Sequence, residues 1–263
     1  MKKGKKAVIA AICTMMIMLF TGCDGLNAEP NYISGESGDF KYRIYNDWDS
    51  NEKYIALNGL TEEGKKKEII VVPTEIDGYP VEQLSYGINW YTNRTIYDYG
   101  FLESENLKVI YLPHSEISIK AEETFLGCPN LEKIVYIGVN AFKSFYEVYY
   151  NQKIYFPCLD EREEFTDYRY GNVYYANISY YYNYENADNE GFYWVDHFTY
   201  GETIGYIPEE PKRTGYTFDG WYKEAECENK WEFASDTLPQ AKYDHLGDEL
   251  MQETKLYAKW IKE

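Results

Sequence analysis

The first apolar positions of the chain form one uninterrupted run. Residues 7–20 carry no charged side chain, and the four lysines of the first six residues precede them. This run of about 14 residues is shorter than the roughly 20 apolar residues that a membrane-spanning helix needs. We therefore predict a signal peptide over residues 1–22, in preference to the alternative of a transmembrane anchor.

Further along, apolar residues recur at an interval of 24 positions. Phe, Leu, Asn, Leu and Ile of residues 101–110 are repeated in residues 125–134. Three strand-like segments also end at a proline, which donates no ladder hydrogen bond and so ends a strand; they are residues 69–73, 109–113 and 154–157. The interval lies within the range of leucine-rich repeats, in which each coil supplies one short strand and buries its apolar residues against the next coil.

The C-terminal part changes to short aromatic segments separated by turns. Residues 178–184, 192–198, 215–222 and 255–261 are predicted strands. In the last of them, Leu256, Ala258 and Trp260 alternate with polar-face residues, as in a half-buried strand.

Two local features of this part carry separate predictions. Strict alternation would place Phe218 and Trp221 on opposite faces of one strand, so we predict a bulge at Gly220 that brings both rings into one core. The link over residues 240–254 is long, and we expect it to add a helical turn.

The residues around the end of the first apolar run resemble a bacterial lipobox. The phrase Leu19-Phe20-Thr21-Gly22-Cys23 has a small residue before a cysteine, although Phe20 stands where the family prefers an aliphatic residue. The resemblance implies a diacylglyceryl group on Cys23, and two acyl chains suffice for stable anchoring. Residues 23–38 are then the lipidated cysteine and a flexible tether, because they are rich in glycine, serine and acids.

Two further resemblances cover most of the remaining chain. The phrases IDGYPV, TFLGCPNLEKI and IGVNAF, which begin at Ile76, Thr124 and Ile137, resemble BspA-like leucine-rich repeats. They imply a short, irregular solenoid over residues 39–165. The phrases YGETI, GYTFDGWY and LYAKW, with Pro208 and Pro211, resemble the Listeria–Bacteroides repeat, also called the internalin-type B repeat. This implies a small β-grasp-like domain over residues 175–263, and a fold that is mainly β.

The charge of the chain argues against nucleic acid as a partner. The formal net charge is −18, and loss of residues 1–22, which hold four lysines and no acid, makes it −22. Phosphate-binding surfaces need clustered Lys and Arg, and an anionic membrane would also repel such a body. We therefore expect contact with a membrane only through the N-terminal lipid.

Cysteine usage does not indicate a disulfide framework. After processing and lipidation, Cys128, Cys158 and Cys227 remain, which is an odd number. A bridge between Cys128 and Cys158 stays open, whereas the repeat pattern favours Cys128 as a small buried residue. No Cys/His spacing indicates zinc.

Candidate catalytic residues are few. The chain has only His114, His197 and His245, none in a catalytic motif, and we expect each at the surface or in a turn. Residues 47–52 begin like a calcium loop but lack its glycine and its final glutamate, so we predict a hairpin between residues 42–45 and 54–57 there. No pair of carboxylates stands out as that of a glycosidase. We expect no enzymatic activity, no cofactor and no bound metal.

The 30 tyrosines are the remaining feature of the composition. Runs such as Tyr180-Tyr181-Tyr182 place alternate rings on opposite faces of a strand, which fits strand packing and leaves sugar stacking as a hypothesis. We predict a lipid-anchored, extracytoplasmic surface protein that serves adhesion or recognition of a protein or glycan without catalysis. The alternatives are a structural component of the cell envelope and a hydrolase. No ligand-binding residue can be predicted.

Overall fold

A computed structural model describes residues 32–46, 52–84, 102–113, 117–119, 125, 127–137, 152–157 and 173–263. These residues form seventeen strands, which are β1 Tyr32–Ser37, β2 Phe40–Asn46, β3 Lys53–Leu60, β4 Ile69–Val71, β5 Glu75–Ile76, β6 Tyr79–Leu84, β7 Val109–Leu112, β8 Ser118–Ile119, β9 Lys133–Tyr136, β10 Lys153–Phe156, β11 Val173–Tyr175, β12 Ile178–Tyr181, β13 Phe192–Asp196, β14 Tyr216–Tyr222, β15 Lys242–Tyr243, β16 Glu249–Leu250 and β17 Thr254–Lys262. Short 3-10 helices lie at Gly64–Lys66 and Asn189–Gly191. The described part of the chain is therefore mainly β.

The first sheet begins with an antiparallel meander. Its order is β1-β2-β3-β6-β5, and β8 also pairs with β6. In the β2–β3 hairpin, Tyr45 lies opposite Tyr54 and Asn46 lies opposite Lys53, so the predicted hairpin is confirmed. The residues at its tip, 47–51, lie outside the described part of the chain, and with them the loop for which calcium was considered.

The predicted flexible tether over residues 23–38 is wrong for its last residues. Residues 32–37 form β1, which pairs with β2 along its whole length from Tyr32 opposite Tyr45 to Ser37 opposite Phe40. Gly35 permits this pairing because it has no Cβ, and a Cβ there would lie 2.5 Å from the Tyr42 ring. Glycine, which indicates a spacer by composition, here allows a close approach of the Tyr42 ring to the backbone.

A second sheet consists of five parallel strands in chain order. Its order is β4-β7-β9-β10-β11, and every neighbouring pair is parallel. Ile110 lies opposite Ile134, so the 24-residue interval of the sequence is the register of β7 against β9. The strands predicted from the three proline-ended segments are confirmed as β4, β7 and β10. The sheet continues to β11, beyond residue 165, where we placed the end of the repeat unit.

Side chains on the inner face of the parallel sheet build the first core. Because successive side chains in a strand point to opposite faces, Ile110 and Leu112 are buried inside, as are their counterparts Ile134 and Tyr136. Phe125, one of the repeated residues, is 5% exposed in the same core. The repeated apolar residues that the structure describes are therefore core residues, as their periodicity predicts.

The C-terminal unit, residues 176–263, contains a four-stranded sheet. Its order is β13-β12-β17-β14, in which β12 and β17 are parallel and the other pairs are antiparallel. The pairing of β14 with β17 shifts register between Phe218 and Gly220, where Gly220 has a φ of +130°. The Phe218 and Trp221 ring centroids lie 5.2 Å apart. The predicted bulge is confirmed, and it places both rings on one face.

The predicted helical turn within residues 240–254 is wrong. This segment forms a separate two-stranded sheet, in which β15 and β16 pair as an antiparallel hairpin. Asp244 accepts hydrogen bonds from the backbone N–H groups of Leu246 and Asp248, at 2.8 and 2.9 Å. An aspartate that bonds to the backbone two residues ahead favours a turn over a helix.

Within the described ranges, no helix is long and apolar enough to span a membrane.

Candidate functional site

The outer face of the parallel sheet is covered by the C-terminal unit. Tyr111, Val135 and Tyr155 point to that face, and all three are buried in one core with Trp194 and residues of the C-terminal sheet. The Tyr111 ring centroid lies 4.6 Å from that of Trp194. Aromatic rings at this separation pack favourably. This face is therefore an internal contact between two parts of the chain.

A buried ionic network crosses this contact between the parallel sheet and the C-terminal unit. We call the contact, with its network, the junction. Its acceptor is Asp196, whose side chain has 0% exposure. Lys133 Nζ donates to Asp196 Oδ1 at 2.6 Å, and the Tyr111 hydroxyl donates to Oδ2 at 2.5 Å. The His197 backbone N–H donates to Oδ1 at 2.7 Å. Burial raises the pKa of Asp196, while the charge and hydrogen bond of Lys133 act against that rise.

Two aromatic side chains complete the junction. Burial raises the pKa of Tyr155 to about 12, so its phenol stays protonated at neutral pH. His197 stacks on Tyr155 with 4.4 Å between ring centroids. Burial first, and then the charges of Lys133 and Lys153, lower the pKa of His197 to about 4. His197 is therefore neutral at pH 7, and it lies in the junction instead of at the surface or in a turn.

The crevice that the described residues form beside the junction is too small for a substrate. A crevice of about 10 Å³ lies beside it, lined by Tyr111, Pro113, Val135 and Trp194 among others. That is about the space that one water molecule needs. The arrangement holds two parts of the chain together, and it does not expose a nucleophile to a ligand.

A second cluster of polar and aromatic side chains lies in the C-terminal unit. The Arg213 guanidinium carbon lies 4.2 Å from the Tyr184 ring centroid and 3.8 Å from that of Tyr216. The Trp260 ring is 5.9 Å away. All four side chains are half-buried. We call these four residues the arginine cluster.

Local structure fixes each member of the arginine cluster. Tyr216 N–H donates to the Arg213 carbonyl at 3.1 Å and closes a tight turn directly before β14. Trp260, on β17, donates from Nε1 to the Tyr182 carbonyl at 2.6 Å. Tyr184 follows β12, and its ring lies 6.0 Å from that of Trp260. The guanidinium is thus close to two tyrosine rings whose positions are set by the turn before β14 and by the contact with Trp260.

The polar side-chain groups of three members of the arginine cluster have no partner among the described residues. Within the described part of the chain, the Arg213 side chain makes no hydrogen bond or ion pair, and neither the Tyr184 nor the Tyr216 hydroxyl makes a hydrogen bond. Such groups can receive a ligand without breaking an internal bond. The sequence pattern singled out the neighbouring run Tyr180-Tyr181-Tyr182 but did not indicate Tyr184, Tyr216 or Arg213 as a site.

The sequence-predicted cysteines fall into two groups. Cys128 is a buried free thiol that donates to the Leu102 carbonyl, and burial raises its pKa to about 11. It is therefore the small, unreactive core residue that the repeat pattern predicts. Cys227 is also free and partly exposed. Cys23, the predicted lipidation site, and Cys158 lie outside the described residues.

The other candidate residues are placed as follows. His245 is exposed on the β15–β16 hairpin, and His114 lies outside the described residues. In the ranges that the structure describes, no group of three or more His, Cys, Asp or Glu side chains could hold a metal ion.

Comparison with family models identifies the C-terminal unit. Residues 177–259 match the Listeria-Bacteroides repeat domain. The match starts at Asn177, directly before β12, and ends at Lys259, within β17. Three members of the arginine cluster lie inside the matched residues. The fourth, Trp260, directly follows them. This repeat is typical of surface-associated, extracellular proteins. Searches of curated proteins and of solved structures found no match to this chain.

Proposed function

We propose that this chain is a lipid-anchored cell-surface protein that recognises a protein or a glycan and catalyses no reaction. The observation that carries the proposal is the arginine cluster, in which Arg213, Tyr184 and Tyr216 hold unused polar groups at the surface of a repeat typical of surface-associated proteins. Anchoring would rest on the lipid that the lipobox implies for Cys23.

The architecture supports the proposal at a finer level. Five parallel strands in chain order, two of them paired at the interval of the repeated residues, are the arrangement expected of a short leucine-rich-repeat solenoid of the BspA-like type. The four-stranded sheet with parallel β12 and β17 at its centre supports a β-grasp-like domain.

The junction bears on which surface would bind a partner. In a solenoid, the face formed by the parallel strands is a common binding surface. Here Tyr111, Val135 and Tyr155 of that face are covered by the C-terminal unit. Recognition would therefore use surfaces outside the junction, and the arginine cluster is the candidate with unused polar groups. A deletion of residues 175–263 would be the simplest way to ask which part of the chain binds a partner. It would also expose the apolar rings that the C-terminal unit covers, so a loss of binding could result from unfolding.

The anchoring part is tested by labelling with an alkyne fatty acid in a bacterial host that processes lipoproteins. We expect the wild-type chain to take up the label and to partition into the detergent phase. The Cys23→Ser variant should lose both properties, and Cys158→Ser, the matched control, should keep them. Equal labelling of wild type and Cys23→Ser would contradict anchoring at Cys23.

The recognition part is tested with the soluble ectodomain, residues 24–263, immobilised and exposed to bacterial and host surface extracts. We expect specific capture of a surface protein or glycan that free ectodomain competes away. Binding only to the cell wall of the producing bacterium would favour the alternative of an envelope component. Turnover of any extract component would contradict the non-catalytic assignment.

A further inference from the structure

The Arg213 guanidinium is preorganised for one kind of contact. The Tyr184 and Tyr216 ring centroids lie 4.2 and 3.8 Å from the guanidinium carbon, so the guanidinium is packed against two aromatic rings. The edge, which carries the N–H donors, is the part that a ligand can reach. A side chain already held in place loses little conformational entropy on binding. The natural partner of such an edge is a planar anion that accepts two hydrogen bonds side by side.

Arg213 has no acidic partner among the described residues of a chain that is rich in acids. The chain holds 44 acidic and 26 basic side chains. Several lysines pair with acids, and examples are Lys65, Lys66, Lys67, Lys108, Lys133 and Lys223. Arg213 has no such pair among the described residues although exposed acids such as Glu209 and Glu210 lie close in sequence. The N–H donors of the Arg213 guanidinium are therefore available to an external anion.

The charge of the whole body limits which anion fits. A formal net charge of −18 repels a ligand with many negative charges, such as a polyphosphate or an acidic peptide. A ligand with a single carboxylate and no other charge is repelled much less strongly. The tyrosine hydroxyls of Tyr184 and Tyr216 can hydrogen-bond to neighbouring hydroxyl groups, and the Trp260 ring offers an apolar surface.

We infer that the arginine cluster binds a carboxylate-bearing sugar, with the carboxylate on the edge of Arg213 and the sugar ring against Tyr184, Tyr216 and Trp260. This inference rests on the proposed recognition function and names its ligand class. The carboxylate can belong to a uronic acid or to a sialic acid, because both present the same group on a neutral ring. The two sources are separated by experiment.

The test uses the whole ectodomain, residues 24–263, and two matched pairs of probes. One pair is methyl galactosiduronic acid and its methyl ester, and the other is 3′-sialyllactose and its methyl ester, so each acid carries one carboxylate. Calorimetry and saturation-transfer NMR measure binding. We expect at least one acid to bind about tenfold or more tightly than its neutral counterpart, as is usual when a charged hydrogen bond is lost. The pair that responds identifies the sugar. Equal affinity for acid and neutral counterpart would overturn the inference.

Variants assign the binding to Arg213. Arg213→Gln should lose most of the difference between acid and neutral probe, and Arg213→Lys should lose much of it, because lysine keeps the charge but not the planar fork. Lys212→Gln removes the same charge one residue away and should bind like wild type. Melting temperatures show whether each variant folds. If Arg213→Gln does not fold, Tyr216→Phe keeps the ring and should weaken binding of the acid several-fold through the lost hydroxyl.

The outcomes separate this inference from the proposed function. If neither acid binds while the ectodomain still captures a surface component, the recognition function stands and the carboxylate site is rejected. If tetraglutamate peptide binds and the sugars do not, the site recognises acidic peptides and the inference is wrong. If Arg213→Gln lowers the melting temperature but wild type binds none of the probes, Arg213 is a structural stack alone.

Discussion

Lys133 and Asp196 are 63 positions apart in the chain, and Lys133 Nζ lies 2.6 Å from Asp196 Oδ1 at the junction. The side chain of Asp196 is fully buried and that of Lys133 is 17% exposed. The pair joins β9 of the parallel sheet to β13 of the C-terminal sheet. A buried charge that loses its partner costs far more than the pair contributes when complete. The junction is therefore where a single substitution should affect both parts of the chain.

Lys133→Met should lower the free energy of unfolding by about 3–5 kcal/mol, since it leaves the Asp196 carboxylate buried without a cation. Urea denaturation of the ectodomain measures the change. Lys108→Met, which breaks the exposed pair between Lys108 and Glu68, should change it by less than about 1 kcal/mol. Equal denaturation midpoints for Lys133→Met and wild type would contradict the role of this ion pair.

His197 should make the stability depend on pH. Its pKa is lowered from 6.5 to about 4 in the folded chain. Between these values the unfolded chain binds a proton at His197 that the folded chain does not, so the free energy of unfolding falls as the pH falls from 6.5 to about 4. Above pH 6.5 the stabilisation is fully present.

His197→Phe isolates this effect because it keeps a ring on Tyr155 but cannot titrate. The melting temperature of wild type should drop more steeply than that of His197→Phe between pH 6.5 and pH 4. The raised pKa of Asp196 acts in the opposite sense, since a folded carboxyl that holds its proton more tightly gains stability as the pH falls. Both proteins share that contribution, so parallel pH profiles would count against His197.

Phe125→Ala should lower the free energy of unfolding by about 3 to 5 kcal/mol, through lost burial and the cavity left behind. Phe125 is 5% exposed in the core under the parallel sheet. Tyr243→Ala removes an aromatic ring that is 60% exposed and should cost less than about 0.5 kcal/mol. Thermal and urea unfolding measure both. A Phe125→Ala protein that melts within a degree of wild type would show that this ring is not a core residue.

Periodicity predicted those features that repeat along the chain. The register of Ile110 against Ile134 follows from the repeated phrase, because parallel strands of successive coils align equivalent residues. The bulge at Gly220 follows from two aromatic residues that strict alternation would separate. In both cases the information is local or repeated, so a single sequence contains it.

Contacts between distant parts of the chain could not be predicted in this way. Lys133 and Asp196 belong to different sheets, and no pattern relates their positions. The site at Arg213 was not predicted, because the two rings close to its guanidinium come from separate segments. Composition also misled at β1, where residues typical of a spacer pair with β2. Tertiary context outweighs local preference at such positions.

The backbone at Gly220 provides the last prediction. Its φ of +130° is a conformation that L side chains rarely adopt, and a Cβ there would lie 2.5 Å from Lys230 Cε. Lys230 donates to the Asp219 carbonyl at 2.6 Å across the same bulge. Gly220→Ala should therefore lower the free energy of unfolding by about 1–3 kcal/mol, through backbone strain and displacement of Lys230. Gly205→Ala is the control, because Gly205 has no positive φ and its Cβ would lie 3.4 Å from the Phe198 ring. If Gly220→Ala and Gly205→Ala unfold at the same urea concentration, the bulge does not require glycine. If only Gly220→Ala is destabilised, and tryptophan fluorescence reports a changed environment of Trp221, then Gly220 is what keeps Phe218 and Trp221 on one face of β14.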